Sequence, residues 1–238
     1  MTRINKYLAE CGVCSRREAD KLIEQGRVKV NGKTVTTGTQ VQEQDQVEVN
    51  GKLLKAKVRK VILAYYKPIG VTCTEKDKYA KITVTEALSY KERLTYAGRL
   101  DKDSEGLLLM TNDGELIQRM MRAANFHEKE YVVKVNREIT DRFVTDMSQG
   151  VYLKELDLVT RPCKVEKIGK YSFRIILTQG LNRQIRRMCE CFGYRVESLK
   201  RVRVVNIELG KLKSGEYREI TPEEKRKLYQ ICGMSDSE

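Results

Sequence analysis

No stretch of this 238-residue chain is long and apolar enough to span a bilayer, and no apolar leader precedes the first charged residues, so a reduced, cytoplasmic protein without membrane attachment is expected. Seven cysteines, an odd number, argue against a disulfide framework. Cys11 and Cys14 stand at metal-like spacing, but no second pair answers them, and structural zinc takes four ligands. Histidine occurs once, at His127, which leaves too few donors for a metal centre. A phosphate-cradling glycine loop and the dinucleotide fingerprint are both missing, as is the glycine-rich strand-to-helix loop that an attached methyltransferase needs. Neither a cofactor nor a metal is expected.

Positive charge is what the chain has in excess. Its 46 Lys and Arg against 33 Asp and Glu give a net +13, a field that attracts polyanions, nucleic acid first among them. The surplus is uneven, since residues 1–60 alone carry 13 basic and 7 acidic side chains. An appended nucleic-acid module has that signature. The expected division is a front domain at 1–50, a basic linker at 51–60 and a second domain at 61–238.

Ile4, Leu8 and Cys11 fall on one face at helical spacing, and Gly12 stops that helix. Ser15 with Glu18 has the order of a capping box, and a second helix then runs to Gly26. Val28-Lys29-Val30 followed by Asn31-Gly32 predicts a hairpin, as does Val47-Glu48-Val49 before Asn50-Gly51. Arg3, Lys6, Arg16, Arg17, Lys29 and Lys33 would meet phosphates, a contact that positions RNA without reading it. Residues 3–35, RINKYLAECGVCSRREADKLIEQGRVKVNGKTV, resemble the S4 RNA-binding domain of the alpha-L type, with Asn5 where that pattern is usually acidic.

The densest chemistry lies between Gly98 and Gly106, where Arg99, Asp101, Lys102, Asp103 and Ser104 precede the apolar run Leu107-Leu108-Leu109-Met110. Glycines bracket backbone that must take positive φ or admit a close neighbour, so this is a constrained loop feeding a core strand. Mixed charge by itself also suits a solvated turn. Asp101, however, follows an apolar Leu100 and is flanked by Arg99 and Lys102, which favour its ionised form. Downstream, Lys129 to Val135 alternates as a half-buried strand around Tyr131. Arg183, Arg186 and Arg187 crowd a helix start after Asn182, read as its cap, and Lys200, Arg201 and Arg203 lie on a later strand, read as exposed.

GRLD with its acid-, Ser- and Gly-containing sequel and LLLMTNDG, the Lys67-Pro68-Ile69-Gly70 turn, and QGLNRQIRRM together resemble the ribosomal RNA pseudouridine synthases, over nearly the whole chain. The resemblance implies an α+β chain, the S4 domain preceding a catalytic domain built on a mixed, mainly antiparallel sheet with flanking helices. It also implies Asp101 as the catalytic carboxylate, Arg186 as its basic partner and Tyr131 as the active-site tyrosine. Arg99 would enter the space left by a flipped base, and Arg183 and Arg187 would bind RNA. Within the family, HEKEY, QGLNRQIRRMCE and FGY are most similar to the synthases of type F, which implies 23S rRNA as substrate, a tRNA anticodon as second target and a monomer. A rival reading is an RNA-binding assembly factor with a silent second domain.

Overall fold

Ile4 and Leu8 sit one helical turn apart and are both fully buried, and Gly12 at φ +73° turns the chain out of the helix they anchor. In the computed structural model, which describes residues 1–54, 58–74, 82–122 and 125–235, that helix opens the first of two compact units. The unit comprises Met1–Val61 with Tyr90–Leu94 and Asn112–Gly114. Its elements are β1 (Thr2–Arg3), α1 (Ile4–Glu10), α2 (Arg16–Glu24), β2 (Val28–Val30), β3 (Lys33–Thr34), β4 (Gln40–Val41), β5 (Val47–Val49) and β6 (Lys52–Leu53). Ser15 and Glu18 form the expected capping box at the start of α2. Asn31-Gly32 and Asn50-Gly51 all take positive φ, so both hairpins turn as tight two-residue loops matched to strand twist. The resulting sheet runs β3-β2-β5-β6, and Val28, Val47, Ala19 and Ile23 complete its core. The basic segment expected as linker from residue 51 begins instead as β6, because the Asn50-Gly51 turn returns Lys52 and Leu53 to pair with β5. Its Lys55 and Lys57 lie outside the described residues.

The second unit holds β7 (Ile62–Lys67), α3 (Val84–Leu88), β8 (Thr95–Ala97), β9 (Glu105–Thr111), α4 (Gly114–Met121), β10 (Lys129–Val135), α5 (Asp141–Ser148) and β11 (Tyr152–Leu153). It continues through β12 (Leu158–Val159), β13 (Lys164–Gly169), β14 (Ser172–Leu177), α6 (Gln184–Cys191), β15 (Val196–Val204), β16 (Ile207–Glu208), β17 (Tyr217–Glu219) and α7 (Pro222–Ile231). The main sheet has the order β13-β14-β10-β15-β9-β7-β17. Every adjacent pair on that path is antiparallel except β15 with β9, so the mixed, mainly antiparallel sheet expected from sequence is present. One apolar cluster joins β7 and β9 to Leu116 and Met120 of α4 and Leu228 of α7. Another joins β10, β14 and β15 to Phe143 of α5 and Met188 of α6. Leu107, Leu108 and Leu109 are all fully buried, so both faces of β9 are covered, and each such side chain contributes ~1.5–3 kcal/mol.

The one parallel pairing on that path brings two backbones into close approach. Gly106 of β9 lies opposite Arg201 of β15, and it takes φ +107°, a region that excludes most side chains. Arg201 is in turn opposite Tyr131 of β10, so three neighbouring strands bring Gly106, Arg201 and Tyr131 to one level.

Candidate active site

The loop from Gly98 to Ser104 is held by its own carbonyls. Arg99 O accepts from Arg201 Nη1 at 3.3 Å, and Asp101 O from the Ser104 amide at 3.1 Å. Lys102 O accepts from the Gly70 amide at 2.7 Å, and Asp103 O from Arg186 Nη2 at 3.0 Å. The Asp101 side chain therefore projects from a backbone with little freedom, the support that a reacting group needs.

It opens onto a cavity of about 240 Å³ whose wall includes Arg99, Asp101, Tyr131, Arg183, Lys129 and Arg201. That space is smaller than the ~300–1,000 Å³ clefts that take drug-sized ligands, and suits a single ring with its sugar. Sequence similarity implied Arg186 as the partner of Asp101, but among the described residues the guanidinium in ion-pair range is that of Arg183, at 3.8 Å. Arg186 lies behind the loop, 8% exposed, where it meets Asp103 Oδ2 at 3.3 Å, Ser104 Oγ at 3.4 Å and Val196 O at 3.4 Å. Helix geometry explains the exchange. Asn182 does not cap α6; Arg183 does so, at φ +51° and with no side-chain capping bond, which leaves its guanidinium to reach the loop.

Asp103 is the hub of these contacts, within 3.2 Å of Arg183 and 3.3 Å of Arg186. Burial opposes its charge, but the hydrogen bond from Arg183 and the two guanidinium charges outweigh it and hold the carboxyl below its ordinary 3.8. A depressed carboxyl stabilises the fold fully above its unfolded value and loses that contribution as pH falls through the folded one. Asp103→Asn is therefore expected to destabilise the protein at pH 6 to 8, with the deficit starting to shrink only below about pH 4 and closing once the pH has fallen through the folded carboxyl's lowered value, where the parent is also neutral. Urea titrations of both proteins across that range check it, and a deficit independent of pH would contradict the ion-pair account.

The other expected contacts divide. Arg99 is exposed at the cavity wall, as a residue that meets RNA must be. Arg187 is instead tied down, donating to Asn182 O at 3.0 Å and paired with Glu155. In the first unit, Arg3, Arg16, Arg17, Lys29 and Lys33 are exposed, while Lys6 pairs with Glu10 at 3.6 Å. Lys29 is in register with Thr34 and Val30 with Lys33, so Lys29 and Lys33 point to opposite faces of their sheet and do not share one basic surface.

Three cations escaped the sequence reading of the site. Lys67 is fully buried and donates to Pro68 O at 2.7 Å and Val71 O at 2.9 Å, fixing the turn whose Gly70 holds the Gly98–Ser104 loop. Lys129 and Arg201 line the cavity itself. Arg201 was expected on an exposed strand face and is 2% exposed, because β15 is flanked on both sides by other strands. Arg203, beside it, is half-buried and bound to Glu128 and Glu130, each at 2.9 Å. For Lys129 the signal was available: it stands two residues before Tyr131 on a strand that alternates.

Residues 61–191 match the family described as RNA pseudouridylate synthase, and residues 2–47 match the S4 domain. The chain is 46% identical over 238 residues to the dual-specificity RNA pseudouridine synthase RluF of Escherichia coli strain K12, covering 99% of this chain and 81% of that protein. It is 37% identical to ribosomal large subunit pseudouridine synthase B of Bacillus subtilis strain 168, covering 98% of this chain and 97% of that one. Among solved structures, a crystal structure of pseudouridylate synthase is 29% identical, with a TM-score of 0.70 over 96% of this chain and 100% of that one.

Proposed function

This chain belongs to the RNA pseudouridylate synthase family, and on that premise we propose that it isomerises one specific uridine of 23S ribosomal RNA, with a tRNA uridine as second target. The observation that carries the catalytic reading is Asp101, a carboxylate in ion-pair range of Arg183 on a four-point-anchored loop, facing the same cavity as Tyr131. Isomerisation breaks the bond between C1′ and uracil N1, turns the base and rejoins it through C5. Asp101 acts either as the nucleophile at C1′ or as the base on the neighbouring ribose carbon. Tyr131, part of the cavity wall, offers the uracil a flat face and carries a hydroxyl able to move a proton. A stacked uridine reaches the cavity only if it is everted, at a cost of a few kcal/mol, and exposed Arg99 fills the space it leaves. Arg183 takes the ion-pairing role, and Arg186 holds the loop from behind.

The S4 domain supplies phosphate contacts through Arg3, Arg16 and Arg17, in a protein whose front unit takes in β6 ahead of the synthase domain and that acts as a cytoplasmic monomer. No helix among the described residues is long and apolar enough to cross a membrane. RNA carrying tritium at C5 of uridine tests the assignment, since forming the C5–C1′ bond expels that hydrogen. Release of label is expected from full-length 23S transcripts, and its absence from both ribosomal and transfer RNA would remove the enzymatic reading. Replacing Arg16 and Arg17 together by Gln is expected to weaken RNA binding and flatten the slope of log K against log salt by about 1.4 to 1.8. An unchanged slope would take both residues off the RNA surface.

A further inference from the structure

When C1′–N1 breaks, its electron pair stays with the leaving uracil, so the base carries a negative charge delocalised over N1 and its two carbonyl oxygens until C5 rejoins the sugar. Asp101 cannot stabilise that charge, being an anion itself. The cavity nevertheless holds two cations to which the mechanism above gives no task. Arg201 is part of its wall and is 2% exposed. Nε donates to Leu107 O at 2.7 Å and Nη1 to Arg99 O at 3.3 Å, while Nη2 is buried with no acceptor among the described residues. Such orphaned buried donors are uncommon in folded proteins and mark places where a partner arrives. Lys129 lines the same wall, its Nζ bonded to His127 O at 3.2 Å. Both residues flank Tyr131, Lys129 two positions earlier on β10 and Arg201 directly across on β15.

We propose that Arg201 and Lys129 form an electrostatic pair that stabilises the uracil anion released on glycosidic cleavage, a role that rests on the pseudouridine synthase reading. The electron count closes without any further reagent. Asp101 takes C1′ as the N1 bond breaks, or removes the neighbouring ribose proton; the turned ring then attacks C1′ through C5, the sugar bond to Asp101 or its proton loss is reversed, the C5 proton departs and N1 regains one. Fixed positive charge beside the ring lowers the barrier only while the anion exists, which is what distinguishes catalysis from binding. Burial, and after it the Arg201 guanidinium, lowers the pKa of Lys129, and an anion beside it would favour its charged form.

The test varies the leaving group. Full-length protein and its Arg201→Met, Arg201→Lys and Lys129→Met variants are mixed in excess with a 23S fragment bearing uridine or 5-fluorouridine at the modified position, and loss of that nucleoside is followed in nuclease digests. Fluorine withdraws charge and makes the departing base a more stable anion. Arg201→Met is expected to slow cleavage of the uridine substrate about 10²-fold with RNA affinity unchanged, and of the fluorinated one by about 10-fold or less. Arg201→Lys should recover part of the rate, and Lys129→Met should show the same dependence on leaving group. Equal losses on both substrates would reduce Arg201 to a strut for the loop, and a loss confined to affinity would give the pair to a phosphate; either result overturns the proposal. Should Arg201→Met fail to fold by circular dichroism, Lys129→Met decides by the same criterion. If the parent protein itself releases no tritium from C5, the family-based reading fails as well, an outcome separate from the others.

Discussion

Asp101→Asn is expected to lower the isomerisation rate by about 10⁴-fold or more while RNA affinity stays within a few-fold of the parent. Asparagine has nearly the same shape, and the loop that carries it is held through main-chain carbonyls that the substitution leaves in place. What is lost is the charge, and with it both the nucleophile and the base. Stability should change little. The ion pair to Arg183 is long, at 3.8 Å, and partly exposed, and Arg183 keeps its closer contact with Asp103. Exposed pairs of this kind are worth ~0–1 kcal/mol. Single-turnover tritium release with excess enzyme, alongside filter binding of the same RNA, measures both quantities. A variant that keeps a tenth of the parent's rate would remove Asp101 from the reaction.

Gly106→Ala is expected to be at least as damaging, and through the fold. A Cβ at this position would fall inside van der Waals contact of the Arg201 carbonyl oxygen, 2.7 Å from its nitrogen and 3.0 Å from its carbonyl carbon. All three are backbone atoms of the neighbouring strand, so nothing flexible can give way, and φ of +107° disfavours any side chain on top of that. Strands β9 and β15 would have to separate at the centre of the sheet. We expect a loss of about 4 kcal/mol or more, a large share of the ~5–15 kcal/mol that keeps a typical protein folded. Gly98→Ala serves as the comparison, since its Cβ would meet the Met121 Sδ at 3.3 Å, the end of a flexible side chain. Urea denaturation of the three proteins gives the ranking, and a Gly106→Ala deficit under about 1 kcal/mol would refute the close-approach account.

Local signals were legible in the sequence wherever one residue sets one conformation. The Ser15 capping box and the Asn31-Gly32 and Asn50-Gly51 hairpins form as expected, because each depends on chain neighbours alone. Asp101 and Tyr131 were singled out by the motifs around them, and both line the cavity. Failures came where distant strands decide. Arg201 looked like a surface cation on a basic strand and is buried, since nothing within residues 196–204 announces that β9 and β10 lie on either side. Arg183 and Arg186 exchanged partners because a left-handed residue, not Asn182, opens α6, and three residues of helix turn a guanidinium from one carboxylate to the next. Lys29 and Lys33 were grouped by charge when strand alternation sets them apart.

The parallel ladder also dates the birth of the pocket. Residue 105 meets residue 200 there, so nearly a hundred intervening residues must be made and ordered before the wall bearing Arg201 can close beside Asp101. Contacts spanning that much chain form late. A polypeptide still leaving the ribosome, or one truncated ahead of β15, thus has residues 98–106 in its sequence but lacks the strand that brings Arg201 to the cavity wall.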